Sequence, residues 1–167
     1  NDQRITQFES DLVPCVSIGR PDKSHSINYV DIDNRKLVAD AVNILVTNGY
    51  KRVYLLNANE SLNISHDRTA AFVKALDDND IGNGINNVSY STDSSFESGL
   101  KLALELMDKG TAFITAFLRL AEGVYSAADQ MGLKVGSDVG VFALGGTRND
   151  KITPNLTYAT QDYDRLG

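Results

Sequence analysis

The chain has 167 residues, of which 42% are hydrophobic and 23% charged, and its formal net charge at pH 7 is -6. This composition is typical of one soluble globular domain or most of one, and it excludes disordered and fibrous proteins. The acidic balance argues against a nucleic-acid-binding surface in this chain, because such surfaces are basic. No apolar run approaches the roughly 20 residues that cross a bilayer.

The first part of the chain predicts two short strands and a helix. The run 13–18 (VPCVSI) is typical of a buried parallel strand, and its single cysteine, Cys15, is predicted to be a small core residue rather than a nucleophile. Residues 29–33 (YVDID) alternate as a short strand does. Asn34 can then cap a helix that Gly49 ends. Its inward positions recur at helical spacing and are Leu37, Val38, Ala41, Ile44 and Leu45.

The same cycle of strand and helix continues to residue 144. The predicted strands are 52–56, 88–90, 111–116 and 139–144, and the predicted helices begin at about Ser65, at Ser95 and at Leu120. Ser95 and Ser98 are expected to start the second of these helices, and Gly110 is expected to end it.

Apart from the short strand at 29–33, five strands alternate with four helices, which predicts an α/β fold with a mostly parallel sheet covered by helices on both faces. Ligands of such sheets bind beyond the carboxyl ends of the strands. Candidate ligand-binding segments are therefore 19–21, 57–68, 91–95, 117–119 and 145–148.

The sequence contains none of the motifs that would indicate a nucleotide, a metal ion or a covalent nucleophile. No phosphate-binding GxxxxGK[ST] loop, GxGxxG turn or GxSxG elbow is present. His25 and His66 lie about forty residues apart, which does not favour a zinc site. We predict no cofactor, no metal and no catalytic residue.

Arg68 is the basic residue that stands out, because it lies at the start of a helix that follows a strand-end loop. A cation is unfavourable there, since the amino end of a helix prefers anions. A guanidinium group binds hydroxyl and carboxylate oxygens with a planar fork of donors. Arg68 is therefore either a ligand-binding residue or an ordinary surface arginine, and both interpretations stay open.

Seven segments, taken in order, carry a resemblance to a known family. They are VPCVSIGR, YVDIDN, NGYKRVYLLN, RTAAFVKAL, TAFITAFLRLAEGV, QMGLKVGSDVGVFALGG and PNLTYATQDYDRLG. The chain resembles the effector-binding core of the LacI/GalR family of bacterial transcription regulators. The resemblance implies a three-layer, periplasmic-binding-protein-like fold of type I, with a small ligand held between two subdomains.

The resemblance also implies a domain organisation. Residues 34–156 would form the C-terminal subdomain, and residues 1–33 and 157–167 would be parts of the N-terminal subdomain and of the crossovers. It implies a cytoplasmic homodimer that binds operator DNA through a helix-turn-helix outside this chain. Segments 120–131 and 139–150 would correspond to the dimer surface. The apolar stripe of the first segment fits burial against either its own sheet or a partner helix.

Some of the family's ligand-binding residues have a match in this chain, and others are replaced. Arg68 matches the arginine of the motif Arg-x-x-Gly-Phe, although Ala71 replaces the glycine. Gln161 matches a crossover glutamine, and Asp33 matches the acidic residue at the lip of the cleft. Phe117 and Leu118 replace the usual Asn-Asp, and Gly145 lies in the run that replaces Gly-Phe-Asp-Asp. The predicted ligand-binding residues are Arg68, Phe117, Gln161, Asp33 and Gly145.

This chain lacks the polar residues that the family usually has at these positions, and this changes the expected ligand. A sugar hydroxyl buried there without a hydrogen-bond partner would cost about 1–3 kcal/mol. One interpretation is that Phe117 forms a stacking platform for a larger sugar, with maltose or another α-glucoside favoured. Alternatively, the ligand is not a sugar, or the regulator responds to a protein partner instead. A third interpretation places Phe117 in the core, with Leu118 capping the sheet. A periplasmic sugar-binding protein of a transport system is the alternative function, and an enzyme is the third.

Overall fold

A computed structural model describes residues 3–22, 24–82, 84–146 and 151–160. Internal contacts divide the chain into two compact units. The first contains the residues up to Asp33, and the second is Asn34–Thr160. No helix in the described ranges combines the length and the apolar character that a membrane span requires.

The described residues of the first unit form one helix and a two-stranded parallel sheet. Helix α1 is Gln3–Ser10, strand β1 is Val16–Ile18 and strand β2 is Asn28–Val30. The prediction of a parallel strand within 13–18 is confirmed at 16–18, but the prediction that this strand is buried is wrong, because Val16 and Ile18 are exposed and Cys15 is only half-buried. Among the described residues of this unit, one helix and two strands supply too little apolar surface to cover both faces of the sheet.

The second unit contains a five-stranded parallel sheet. Its strands are β3 (Arg52–Asn57), β4 (Val88–Tyr90), β5 (Thr111–Thr115), β6 (Gly140–Ala143) and β7 (Thr157–Tyr158), in the order β4-β3-β5-β6-β7. Its helices are α2 (Asn34–Thr47), α3 (Asn63–Asp78), α4 (Phe96–Leu106) and α5 (Leu118–Gln130), with a 3-10 turn at Gly84–Asn87. Neighbouring strands all pair in parallel. The predicted α/β class with a parallel sheet is confirmed.

Helices cover both faces of this sheet. Successive residues of a strand point to opposite faces, so Ile114 of β5 packs with α2 and α3 while Phe113 packs with α4 and α5. The apolar stripe of α5 is completely buried within the single chain. Its members are Leu120, Val124 and Ala128. Of the two interpretations of that stripe, burial against the chain's own core is the correct one.

Several element boundaries differ from the prediction. The strand predicted at 29–33 pairs with β1 and not with the large sheet, whose fifth strand is the unpredicted β7. Helix α4 ends at Leu106, before Gly110, because the backbone N–H of Asp108 turns to Thr111 Oγ1 at 3.1 Å. The predicted cap is confirmed, since Ser95 Oγ accepts the backbone N–H of Ser98 at 3.1 Å.

Helices α4 and α5 cross with their backbones in contact. A Cβ atom on Gly99 would overlap the backbone of Leu120, and one on Gly123 would overlap the backbone oxygen of Phe96. Only glycine permits this approach. The close crossing fixes the first turn of α5 against α4, and therefore the position of Phe117 immediately before that turn.

Candidate functional site

The carboxyl ends of the parallel strands lie along one edge of the large sheet, which we call the strand-end edge. It consists of the last residues of β3, β4, β5 and β6 and of the loops that follow them. The loop after β3 leads directly into α3, and the loop after β5 consists of the two residues Ala116 and Phe117. This edge is where ligands of parallel sheets bind.

Asn57, the last residue of β3, connects this edge to α3. Its side chain is completely buried, and its Nδ2 donates to the backbone oxygen of Ser65 at 3.0 Å and to Thr69 Oγ1 at 3.1 Å. Its Oδ1 accepts the backbone N–H of Ala58 at 2.9 Å. The carboxamide thereby fixes the first turns of α3 against the end of the strand.

Arg68 lies in the second turn of α3 with only 2% of its surface exposed. Its Nε donates to Oδ1 of Asn34 at 3.0 Å, and Asn34 is itself buried at the start of α2. The interpretation of Arg68 as a surface arginine is therefore wrong. Burying a guanidinium group is costly without hydrogen-bond acceptors, and Asn34 provides one of them.

Phe117 and Leu118 separate into an exposed and a packed side chain. Phe117 is 43% exposed and has an extended backbone (φ -142°, ψ 156°) as the residue that precedes α5. The interpretation that placed it in the core is wrong. Leu118 is partly buried against the apolar cluster between the sheet and α5, as expected of a residue that caps the sheet.

The loop after β6 lies directly on Leu118. Gly146 has a φ of +105°, and a Cβ atom there would lie 2.9 Å from the Cβ of Leu118. Gly145 is half-buried beside it. Glycine at position 146 is therefore required both by the backbone conformation and by the space that Leu118 fills.

Of the five predicted ligand-binding residues, Arg68, Phe117 and Gly145 lie on the strand-end edge or in the helices that follow it. Asp33 is exposed and belongs to the first unit. Gln161 lies outside the described residues. The hydrogen-bonding role of Asn57 is not among the predicted ones, although a polar residue at the end of an otherwise apolar strand could have indicated it.

A serine-rich turn follows β4 at the same edge. Asp93 Oδ1 accepts the hydroxyl of Ser98 at 2.7 Å and the backbone N–H of Ser95 at 3.0 Å. These hydrogen bonds, the one from Ser98 above all, lower the pKa of Asp93 to about 2. The turn is thus held by a carboxylate that stays ionised over the physiological range.

The titratable side chains do not form a metal centre in the part of the chain that the structure describes. No group of three histidine, cysteine, aspartate or glutamate residues is close enough there to hold a metal ion. The polar groups at and next to the strand-end edge include amides, hydroxyls, the Asp93 carboxylate and the Arg68 guanidinium group, which suit hydrogen bonding to a polar organic ligand.

Comparison with known proteins identifies relatives over almost the whole chain. Residues 42–167 match the family described as periplasmic binding protein-like domain. The HTH-type transcriptional regulator AglR of Rhizobium meliloti is 29% identical over an alignment of 162 positions, which covers 93% of this chain and 43% of AglR. The HTH-type transcriptional repressor CytR of Escherichia coli is 31% identical over an alignment of 173 positions, which covers 95% of this chain and 48% of CytR. The chain thus spans less than half the length of these relatives.

Solved structures share the fold. A regulatory protein of the LacI family from Chloroflexus aggregans superimposes with a TM-score of 0.89 at 23% identity, covering 99% of this chain and 61% of that one. The transcription regulator CcpA of Lactococcus lactis superimposes with a TM-score of 0.86 at 23% identity, covering 100% of this chain and 62% of that one. At these identities the likeness concerns the fold alone.

Proposed function

Because the chain belongs to the family of periplasmic binding protein-like domains, we propose that it is the effector-binding and dimerisation domain of a LacI-type transcription regulator. The observation that carries this proposal is that relatives aligned over more than nine-tenths of the chain are named as transcriptional regulators or repressors. The complete protein is a cytoplasmic homodimer that represses genes of sugar metabolism. It binds operator DNA through a headpiece outside this chain, and ligand binding shifts the population that is competent to bind DNA.

The ligand is a sugar, with maltose or another α-glucoside favoured. The exposed ring of Phe117 supports this choice, because the apolar face of a sugar ring packs well on an aromatic side chain. Arg68 supplies hydrogen-bond donors to sugar hydroxyls, and Gly145 leaves room beside the ring. Asp33 and Gln161 complete the proposed set of contacts.

A thermal-shift screen tests the proposal on the complete protein. Mono- and disaccharides and sugar phosphates are compared, and maltose is expected to raise the unfolding temperature. A ligand at 100 times its Kd adds about 2.7 kcal/mol to the free energy of unfolding by mass action. Absence of a shift with every saccharide at millimolar concentration would contradict a sugar-binding function.

The alternative is a periplasmic sugar-binding protein of a transport system, which shares the fold. The named relatives favour the regulator, since both AglR and CytR are described as HTH-type proteins. Operator binding distinguishes the two functions. We expect the complete protein to retard DNA fragments from its own promoter region in a sugar-dependent way. An export signal in place of a helix-turn-helix would favour the alternative.

A further inference from the structure

A chain of partly buried hydrogen bonds connects three elements behind the strand-end edge. Tyr90 Oη, at the end of β4, lies 2.9 Å from Thr69 Oγ1 on α3. The same Oγ1 accepts from Nδ2 of Asn57 at 3.1 Å. Asn57 also accepts, with its backbone oxygen, the N–H of Ser91 at 3.0 Å. Asn57 is therefore the member that joins β3, β4 and α3.

The two contacts that Asn57 makes on α3 lie on either side of Arg68 in the sequence. Its Nδ2 donates to Ser65 and to Thr69, which are four residues and about one helical turn apart. Arg68 precedes Thr69 directly, and its Nε donates a hydrogen bond to Oδ1 of Asn34. The position of the guanidinium group therefore depends on how the first two turns of α3 pack against β3.

We propose that Asn57 is a positioning residue for Arg68. The hydrogen bonds of its carboxamide fix the first turns of α3 against β3. They thereby fix the position at which the guanidinium group binds the effector. The inference rests on the proposed function, in which Arg68 binds the ligand. Asn57 need not touch the ligand itself.

The decisive variant is Asn57→Asp, which keeps the shape of the side chain and removes both donated hydrogen bonds. The hydrogen exchange rate of the Arg68 Nε–H group, followed by ¹⁵N NMR in the complete protein, reports on the Asn34 bond without any ligand. Loss of the hydrogen bonds that Asn57 donates to Ser65 and Thr69 is expected to raise this rate roughly tenfold or more. Thr69→Val removes one of the two hydrogen bonds that Asn57 donates to α3, together with the contact to Tyr90 Oη, and is expected to give a smaller increase.

Asn87→Asp is the matched control. Asn87 is also buried, and its Nδ2 donates to the backbone oxygen of Val53 at 3.0 Å, away from Arg68. It should leave the Arg68 signal unchanged. Equal rates in wild type and Asn57→Asp would overturn the proposal, as would equal increases in the two aspartate variants. If Asn57→Asp does not fold, Thr69→Val decides, and an unchanged rate there overturns it.

Binding of maltose, measured by calorimetry, separates this inference from the proposed function. Tyr90→Phe is expected to lower the affinity for maltose a few-fold in the wild-type background. In the Arg68→Lys background it should have no effect, because the contact between the guanidinium group and the ligand is already lost. Equal effects in both backgrounds would overturn the positioning role. A wild-type protein that binds no saccharide contradicts the proposed function, and the exchange measurement then decides the positioning role alone.

Discussion

Arg68 Nε donates to Oδ1 of Asn34 at 3.0 Å, which joins the second turn of α3 to the first residue of α2. Both residues are buried, so the bond is shielded from water and holds the guanidinium group in one place. A side chain ordered in this way before ligand arrives loses little further entropy when it binds. This preorganisation is the basis of the first prediction.

Arg68→Ala is expected to abolish the thermal shift that maltose causes, because the proposed donors to the sugar are removed. The shift, and not the unfolding temperature itself, is the measurement, since truncation of a buried side chain also lowers stability. Arg52→Ala is the control. Arg52 pairs with Asp108 at 2.9 Å on the surface, and its loss should leave the shift intact. A full shift in Arg68→Ala would refute the ligand-binding role.

Phe117→Ala is expected to weaken maltose binding by about 1 kcal/mol, or roughly fivefold in Kd, because the stacking surface is lost. Stability should change little, since the ring is 43% exposed. Leu104→Ala on α4 is matched in exposure, at 42%, and should leave the affinity unchanged. Phe117→Tyr should bind like the wild type. An unaltered affinity in Phe117→Ala would exclude the platform.

The large sheet was predictable because its strands are apolar runs that alternate with amphipathic helices. Strands β3 to β6 appear close to their predicted limits, and so does the Ser95 cap. The two-residue strand β7 was not predictable, since so short a segment has no periodicity. The pairing of β2 with β1 also required three-dimensional information, because a sequence does not state which strands share a sheet.

Burial of the site residues was equally hard to predict. Phe117 is exposed and Arg68 buried, the reverse of what hydrophobicity favours. Both placements follow from contacts between distant residues, Arg68 with Asn34 and the first turn of α5 with Gly99 on α4. Local patterns carry no information on such contacts. The candidate site could be located from strand ends, whereas its geometry could not.

The pKa of Asp93, about 2, predicts an acid-dependent stability. Because this pKa lies below the usual 3.8, the carboxylate stabilises the folded state at pH values above 3.8. That contribution is lost as the pH falls from 3.8 through 2. Ser98→Ala removes the largest cause and is expected to raise the pKa toward 3.8, whereas Ser91→Ala should raise it less. NMR titration of Asp93 measures both, and an unchanged pKa in Ser98→Ala would contradict this account.

Gly123→Ala is expected to destabilise the protein by about 1–3 kcal/mol or more, because its Cβ atom would overlap the backbone of α4. Neither backbone can move without displacing the close crossing of α4 and α5. The free energy of unfolding in urea is the measurement. Gly82→Ala is the control, since a Cβ atom there meets nothing within 4 Å. Equal stabilities of the two variants would show that the helices cross less closely.

Thr115→Val is expected to stabilise the protein by about 1 kcal/mol, because it removes a buried hydroxyl that is not hydrogen-bonded. Thr115 ends β5 and is completely buried, and its Oγ1 has no partner among the described residues. Valine has nearly the same shape and suits a strand.

Thr111→Val, at the other end of β5, is the matched comparison. Thr111 is equally buried, but its Oγ1 accepts the backbone N–H of Asp108 at 3.1 Å. Its replacement leaves that N–H without an acceptor and should cost about 1–2 kcal/mol. Urea unfolding of both variants measures whether each substitution raises or lowers the free energy of unfolding. If Thr115→Val is destabilised as much as Thr111→Val, the hydroxyl of Thr115 binds a water molecule or a ligand group at the strand-end edge.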